Sequence, residues 1–252
     1  MKIFVTGATG FIGSAFCRLA LSRGHDIAGL IQPTKIPPTD IPASEKMTWL
    51  EGTLGELPWK SIEQFQPDVC IHLAWIATPG VYLESSENER YLQWSLDLVR
   101  GLRRIGLSHI VGAGTCIEYQ ISEALLSEDH TLVNPTTLYA RCKNALRETL
   151  ASEAQKDGWQ FCWGRVFYPY GVGEHPARLC SSLIQKLQRG ETLTLKTPPQ
   201  PEGLHLHRRP SPPRYCSRWK RNLPGQSTGE PVKEFPSVKS LTSRRRCWVV
   251  RN

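Results

Sequence analysis

Tyr139 and Lys143 lie four residues apart in the segment LYARCK, so on a helix both side chains would project from one face. A phenol with a pKa of about 10 is a poor base at neutral pH, but a neighbouring ammonium group stabilises the phenolate and lowers its pKa. The spacing also fits a half-buried ring beside a solvated ammonium. Thr115 favours the chemical interpretation, because it ends the apolar run HIVGAGT, and ligands bind at the C-terminal ends of strands in parallel sheets.

A glycine-rich turn near the start of the chain predicts a phosphate site. In MKIFVTGATGFIGSAF, residues 2–6 predict a buried strand and residues 11–21 a helix, with Gly7, Gly10 and Gly13 at the joint. Such a turn directs free N–H groups and the positive end of the helix dipole at one point, which suits the pyrophosphate of a dinucleotide. The spacing is G-x-x-G-x-x-G rather than G-x-G-x-x-G, so a tight packing turn is the alternative. The position of the turn after the first strand favours the dinucleotide.

Strand-like and helix-like segments alternate after this turn, as a parallel sheet with crossover helices requires. We therefore predict an α/β fold, a Rossmann-like doubly wound parallel sheet with an incomplete C-terminal substrate lobe. The expected domains are a dinucleotide-binding domain at 1–170, the start of the substrate lobe at 171–196 and an atypical tail at 197–252. Further strands are expected within 25–31, 47–52, 67–75, 109–115 and 161–171, and further helices within 86–106, 134–156 and 176–190.

The formal net charge of +8 comes from the C-terminal tail rather than from the main body. Residues 197–252 hold 12 of the 31 lysines and arginines but only 3 of the 23 acidic residues, which leaves the rest of the chain close to neutral. A nucleic-acid binder would have to use the tail alone, so we expect no nucleic-acid partner. No secretory signal and no apolar run of membrane-spanning length is visible, which predicts a cytoplasmic protein without a membrane partner. The eight cysteines are scattered, which predicts reduced core thiols and neither a metal site nor disulfides.

The tail itself differs from everything before it. Residues 197–252 contain nine prolines and no aspartate, and they show no sustained helical or strand period. Such a composition buries too little apolar surface to offset the chain entropy, which predicts a poorly ordered segment. The abrupt change also predicts that this segment results from a shifted reading frame, with a genuine but divergent tail as the alternative.

Five segments resemble motifs of the extended branch of the short-chain dehydrogenase/reductase family, which comprises nucleotide-sugar epimerases, dehydratases and reductases. They occur in the family's order within residues 1 to about 196. The segments are TGATGFIG (6–13), HLAW (72–75), GTCIEY (114–119), YARCK (139–143) and RVFYPYG (165–171). The resemblance implies an NAD(P)-dependent oxidoreductase or epimerase that acts on a nucleotide-activated sugar, with NAD or NADP as cofactor. A homodimer is left open.

The resemblance also implies roles for individual residues. Tyr139 would transfer the proton, Lys143 would hold the nicotinamide ribose, and Thr115 would hydrogen-bond the reacting oxygen. Trp75, Arg165 and Arg178 would border the substrate, although solvated or ion-paired roles are equally open for the two arginines. The implied cofactor-binding residues are Gly7, Thr9, Gly10, Phe11, Ile12, Gly13, Leu73, Ala74 and Lys143.

Departures from the family pattern narrow the expected reaction. Dehydratases of the family carry an acidic pair directly after the Ser/Thr, whereas this chain has Cys116 and Ile117, which disfavours elimination of water. The second predicted strand ends without the acidic residue that binds the 2′-hydroxyl of NAD, and Lys35 nearby favours the 2′-phosphate of NADP slightly. His72 is expected in the core or lining the cofactor rather than in catalysis. A catalytically impaired dinucleotide-binding protein is the alternative function.

Overall fold

The β-branched and aromatic run Lys2–Thr6 forms the first strand at the centre of a parallel sheet, where both faces of the strand are buried. The computed structural model describes residues 1–120 and 126–191. Six strands lie in the order β3-β2-β1-β4-β5-β6, and every neighbouring pair is parallel. The strands are β1 (Lys2–Thr6), β2 (Asp26–Ile31), β3 (Met47–Glu51), β4 (Val69–His72), β5 (His109–Thr115) and β6 (Gln160–Val166). This order is that of a doubly wound nucleotide-binding fold, so the predicted fold class is confirmed.

Within the described residues five helices connect or follow these strands: α1 (Phe11–Ser22), α2 (Trp59–Phe65), α3 (Glu87–Arg104), α4 (Leu138–Asp157) and α5 (Leu179–Gln188). A short 3-10 turn, Cys116–Glu118, follows β5 directly. The apolar residues of each strand alternate between the two faces of the sheet. On one face Phe4, Ile110 and Leu146 belong to the larger core, and on the other Ile3, Val5 and Cys17 belong to the smaller one.

Helix boundaries differ from the predicted ones where capping decides them. The expected helix within 134–156 begins at Leu138, because the Thr137 hydroxyl accepts a hydrogen bond from the Ala140 N–H and so caps the helix there. Helix α2 was not predicted. It is seven residues long and follows Pro58 as its N-cap, so too few residues were available for a helical period to be visible.

The domain limits stay predictions. All the described residues fall in one structural unit of the chain, Met1–Thr194 with Cys247–Asn252, and the second unit, Leu195–Arg246, lies outside them. The prediction of a poorly ordered or frame-shifted tail at 197–252 therefore concerns residues outside the described ranges. None of the helices within 1–120 and 126–191 has the length and apolar character needed to cross a membrane.

Candidate active site

The candidate site lies along the edge of the sheet where the parallel strands end. The glycine turn follows β1, Leu73 to Trp75 follow β4, Thr115 ends β5, and Arg165 lies near the end of β6. Because all six strands run the same way, these ends meet at one edge, which is where doubly wound folds bind ligands. Helix α4, which carries Tyr139 and Lys143, packs against β5, β6 and the 3-10 turn.

The three glycines of the first turn have different structural tasks. Gly7 has a φ of 70°, and a Cβ on it would lie 2.8 Å from the Ala74 nitrogen. A Cβ on Gly13 would lie 2.8 Å from the Gly7 carbonyl carbon and closer still to its oxygen. Gly10 is exposed, and a Cβ there would meet only the Gly7 oxygen, at 3.2 Å. Gly7 and Gly13 therefore allow tight backbone packing, whereas Gly10, which has no side chain, keeps the exposed side of the turn open.

The N-terminus of α1 is suited to an anion. Gly10 is its N-cap, no side chain caps the helix, and no acidic residue lies in its first turn. The first N–H groups of a helix have no partner within the helix, so those of Phe11, Ile12 and Gly13 are available to a phosphate. The Phe11 ring reaches the loop after β6, where its carbon atoms lie 3.8–3.9 Å from ideal Cβ positions on Gly171 and Gly173.

His72 links the turn to α3 through a directed chain of buried hydrogen bonds. The Ser95 hydroxyl donates to the Tyr91 carbonyl, so it accepts from His72 Nε2 at 2.8 Å. The other ring nitrogen, Nδ1, then accepts from the Thr6 hydroxyl at 2.7 Å, while Thr6 accepts from the Ala74 N–H. Burial, with the positive charge of Lys143, lowers the pKa of His72 to about 3. His72 is therefore a neutral core residue that fixes the loop after β4.

This neutral histidine predicts a pH dependence of stability. Between pH 3 and about 6.5 the unfolded chain holds a proton on His72 that the folded chain lacks, so the free energy of unfolding should fall with falling pH by about 1.4 kcal/mol per unit. Chemical denaturation at several pH values across this range should show this dependence. In His72→Gln the slope of the unfolding free energy against pH should be smaller by about 1.4 kcal/mol per unit, which corresponds to one proton. The exposed His175→Gln is the control. An unchanged slope in His72→Gln would contradict the assignment.

Thr115 and Tyr139 come together at the start of α4. The Thr115 hydroxyl faces the Tyr139 hydroxyl closely enough to stabilise the phenolate, which lowers the pKa of Tyr139. The backbone of Tyr139 is held as well, because its N–H donates to the Leu83 carbonyl at 2.9 Å. The Tyr82 ring meets the Tyr139 ring edge-on, with centroids 4.9 Å apart. The loop before α3 thus fixes Tyr139 from one side and Thr115 contacts it from the other.

We expected a neighbouring ammonium to lower the pKa of Tyr139. The protein residues alone instead raise it, so for them this expectation was wrong. Burial raises the pKa of Tyr139, Tyr82 and the negative charge of Glu118 raise it further, and the hydrogen bond from Thr115 only partly opposes them. The sequence showed the ammonium that would favour the phenolate, but it did not show the buried carboxylate that opposes it. Desolvation of the phenolate outweighs the single hydrogen bond that stabilises it.

Lys143 is almost completely buried, at 2% exposure, one helical turn after Tyr139. Its Nζ donates to the Ala113 carbonyl at 2.8 Å and lies 3.9 Å from the centroid of the Trp75 ring. Burial lowers the pKa of Lys143 to about 7, although Glu118 opposes the shift. The ammonium is therefore poised to lose its proton near neutral pH, and its charge is stabilised by a carbonyl, an aromatic face and a distant carboxylate.

Trp75 is fixed by a residue that the sequence analysis did not single out. The indole Nε1 donates to Asn88 Oδ1 at 2.8 Å, and the fully buried Asn88 donates in turn to the Tyr82 and Ser85 carbonyls. Trp75 also meets Tyr139 edge-on at 6.4 Å. Trp75 therefore lies between Lys143 and Tyr139 as part of the wall of the site. No motif could have identified Asn88, because its partners lie on a loop.

The two arginines differ. Arg165 is ion-paired, with Nε 2.7 Å from Glu118 Oε2, and it also donates to the Tyr119 hydroxyl at 3.0 Å. The structure thus gives Arg165 the ion-paired role that the sequence left open. Arg178 is the N-cap of α5, and its side chain has no hydrogen bond to the described residues. Glu118 was missed because only the register of β6 brings Arg165 to it.

Comparison with known proteins identifies the family to which the chain is similar. Residues 3–203 match the model of the NAD dependent epimerase/dehydratase family. The chain is 28% identical over 214 residues to the uncharacterized UDP-glucose epimerase YtcB of Bacillus subtilis, a match that covers 77% of this chain and 65% of that protein. It therefore spans somewhat less than two thirds of the length of that relative. A dTDP-6-deoxy-L-talose 4-dehydrogenase (NAD(+)) of Aggregatibacter actinomycetemcomitans is 24% identical over 193 residues, covering 76% of this chain and 68% of the other.

Among solved structures, the fold is similar to that of the UDP-glucose 4-epimerase of Thermus thermophilus, which was determined in complex with NAD. The TM-score is 0.68 at 25% identity, and the match covers 79% of this chain and 68% of that one.

Proposed function

The chain belongs to the NAD dependent epimerase/dehydratase family, and from this premise we propose that it oxidises, reduces or epimerises a nucleotide-activated sugar with a bound nicotinamide dinucleotide. One observation carries the proposal. The Thr115 and Tyr139 hydroxyls face each other at the C-terminal edge of the sheet, and the buried Lys143 lies one helical turn away. A hydroxyl pair beside a cation at a strand edge is suited to the transfer of one proton to or from a sugar hydroxyl.

The first turn supports a dinucleotide as the cofactor. The uncapped N-terminus of α1 and the open side of Gly10 leave backbone N–H groups for a pyrophosphate, and Gly7 and Gly13 keep that surface close to the loop after β4. We propose that Gly7, Thr9, Gly10, Phe11, Ile12 and Gly13 hold the pyrophosphate, with Leu73 and Ala74 beside it. NAD is favoured by the solved epimerase complex and NADP only by Lys35.

The protein's own residues then transfer one proton between the sugar hydroxyl and Tyr139. Tyr139 oxygen accepts the proton of a sugar hydroxyl, and the Thr115 hydroxyl hydrogen-bonds the same sugar oxygen and keeps it against Tyr139. Lys143 in its ammonium form favours the tyrosinate that begins this step, and we propose that it also binds the ribose next to the nicotinamide. When bound, a nicotinamide ring supplies the acceptor for the hydride of the carbinol carbon.

Elimination of water is a less suitable reaction for this site. Glu118 is the carboxylate nearest to Thr115 in the chain order, but both of its oxygens are engaged by Arg165, Trp163 and the Thr115 N–H. Cys116 follows Thr115 directly, and burial raises the pKa of its thiol, so it supplies no ready acid or base. Proton transfer by Tyr139 without a second acid–base pair fits oxidoreduction and epimerisation better.

A nucleotide sugar is the substrate class that the named relatives support. We propose that Trp75 borders the sugar, because the ring lies beside Tyr139. Arg178 is proposed to face the phosphates of the nucleotide. Arg165 is proposed to do so with the guanidinium N–H groups that do not bond Glu118. The alternative, a dinucleotide-binding protein without turnover, is not favoured, because the Thr115 and Tyr139 hydroxyls that face each other beside Lys143 have no evident use in binding alone.

Two measurements on the full chain test the proposal. Titration with NADH and NADPH, followed by nicotinamide fluorescence, should give dissociation constants below about 1 mM, with NADH the tighter. Incubation with NAD and UDP-glucose or dTDP-linked hexoses, followed by chromatography of the sugar nucleotides, should show conversion of at least one. Binding without conversion of any sugar would support the non-catalytic alternative, and failure of both dinucleotides to bind would contradict the proposal.

A further inference from the structure

Glu118 is a fully buried carboxylate that none of the roles above uses for catalysis. It ends the 3-10 turn after β5 and has no exposed surface. One oxygen accepts the Thr115 N–H at 2.8 Å, the other accepts Arg165 Nε at 2.7 Å, and the Trp163 indole N–H lies 3.2–3.3 Å from both. A buried charge with this many partners costs desolvation that its contacts must offset, so its retention calls for an explanation.

Strand β5 is built to admit this carboxylate. A Cβ on Gly114 would lie 2.7 Å from Cε2 of Trp163 and closer still to Glu118 Oε1. A Cβ on Gly112 would lie 2.6 Å from the Trp163 ring. The two glycines of HIVGAGT therefore leave space on one face of the strand for the indole and the carboxylate. The same strand then delivers Thr115 to the site.

Glu118 also fixes Thr115 itself. The Thr115 hydroxyl accepts from the Ile117 N–H at 3.4 Å while the Glu118 carboxylate accepts from the Thr115 N–H, which together form a capping box. The reciprocal bonds hold the backbone and the side chain of Thr115 in one arrangement, which is the one that faces Tyr139. Loss of the carboxylate would remove the oxygen that accepts the hydrogen bond from the Thr115 N–H.

The negative charge acts on the reactive pair as well. It raises the pKa of both Tyr139 and Lys143, opposing the phenolate and favouring the ammonium. Tyr82 and Cys116 also raise the pKa of Tyr139, and the neutral His72 faces Lys143 from β4. Arg165, the cation closest to Glu118, lies on its far side in β6 and is bound to it.

We infer that Glu118 is a positioning residue for the reaction: through the capping box it holds Thr115 at the end of β5, facing Tyr139. Its negative charge also favours the Lys143 ammonium and opposes the Tyr139 phenolate, so it contributes to the pH range in which the two groups work. The inference rests on the proposed function. Glu118 raises the pKa of both Tyr139 and Lys143, so its charge affects both limbs of the pH–rate profile. Removal of a nearby negative charge favours the less protonated form in each step, so both limbs should move to lower pH.

The test compares Glu118→Gln with wild type in the full chain. We expect kcat to fall by about tenfold to a hundredfold, because an amide has one acceptor oxygen and cannot accept from both the Thr115 N–H and Arg165 Nε, so the bond that holds Thr115 is weakened. The NADH dissociation constant should change by less than about threefold. Both limbs of the kcat profile should shift to lower pH. Glu153→Gln is the matched control, since Glu153 lies on α4 in the partly exposed ion pair with Arg100. It should leave kcat and the profile unchanged.

A second variant separates positioning from folding. Glu118→Gln leaves Arg165 without its charged partner and is expected to lower stability. Glu118→Leu with Arg165→Leu removes both charges and also the acceptor of the Thr115 N–H, so it should regain stability while its kcat stays at least about tenfold below that of Arg165→Leu alone, which is the baseline for loss of the arginine. If the double variant had the kcat of Arg165→Leu alone, Glu118 would be only a partner for Arg165 and the inference would be overturned. Wild-type kcat and profile in Glu118→Gln would overturn it equally.

A measurement without turnover distinguishes failure of this inference from failure of the proposed function. The pH titration of the Lys143 Cε–Hε resonances, followed by NMR in protein labelled with 13C-lysine, reports the protonation of this buried amine in wild type and Glu118→Gln. The midpoint should move to lower pH in the variant. An unmoved midpoint contradicts the inference even in a protein with full activity, and a moved midpoint in a protein that converts no sugar nucleotide contradicts only the proposed function.

Discussion

Tyr139→Phe is expected to lower kcat for sugar-nucleotide conversion by about a thousandfold while the NADH dissociation constant stays within about twofold of wild type. The substitution removes only the phenolic oxygen, which faces the Thr115 hydroxyl. The ring keeps its edge-on contacts with Tyr82 and Trp75, and the backbone keeps its bond to the Leu83 carbonyl. Binding and packing should therefore persist while proton transfer is lost.

Tyr91→Phe is the control for this substitution, because Tyr91 packs on Trp75 from α3 at 5.7 Å and also loses only a hydroxyl. It should retain wild-type kcat. Lys143→Ala should differ from both by weakening NADH binding as well as turnover, since the buried ammonium would be lost from the wall of the site. Steady-state kinetics combined with fluorescence titration separate the three outcomes, and full turnover by Tyr139→Phe would rule out the assigned mechanism.

Gly13→Ala is expected to be the most damaging change in the first turn. Its Cβ would lie 2.8 Å from the Gly7 carbonyl carbon and 2.9 Å from the Ala8 Cα, and neither backbone atom can rotate away. The turn must then open, which we expect to cost about 3 kcal/mol of unfolding free energy. Because the opened turn no longer aligns the N–H groups of α1, NADH affinity should fall by about a hundredfold. Chemical denaturation and fluorescence titration measure the two effects.

Two other glycine substitutions serve as comparisons for Gly13→Ala. Gly10→Ala should fold normally, because Gly10 has an extended conformation with a φ of −81° and its Cβ would meet only the Gly7 oxygen, yet it should weaken NADH binding by narrowing the open side of the turn. Gly164→Ala, in β6, meets no atom within 4 Å and should change neither quantity. Normal stability and affinity in Gly13→Ala would show that the turn relaxes and that its packing is not needed.

Local spacing in the sequence determined the strand, turn and helix at the N-terminus, the parallel alternation that follows, and the pairing of Tyr139 with Lys143 on one helix face. These features depend on neighbours within a few residues, where hydrophobic period, glycine placement and helical spacing act directly. The same local signals were too short to indicate α2, and the capping by Thr137 placed the start of α4 later than the apolar pattern indicated.

Only the tertiary structure decided the surroundings of the reactive groups. Strand register brought Arg165 of β6 to Glu118, 47 residues earlier in the chain, and loop packing brought Trp75 onto Lys143 and Asn88 onto Trp75. The pKa values of Tyr139 and Lys143 are shifted by their burial and by the negative charge of Glu118. Neither effect can be read from the spacing of residues along the chain. Desolvation and charge proximity depend on which distant segments meet, so a residue such as Glu118 becomes visible only when the sheet is assembled.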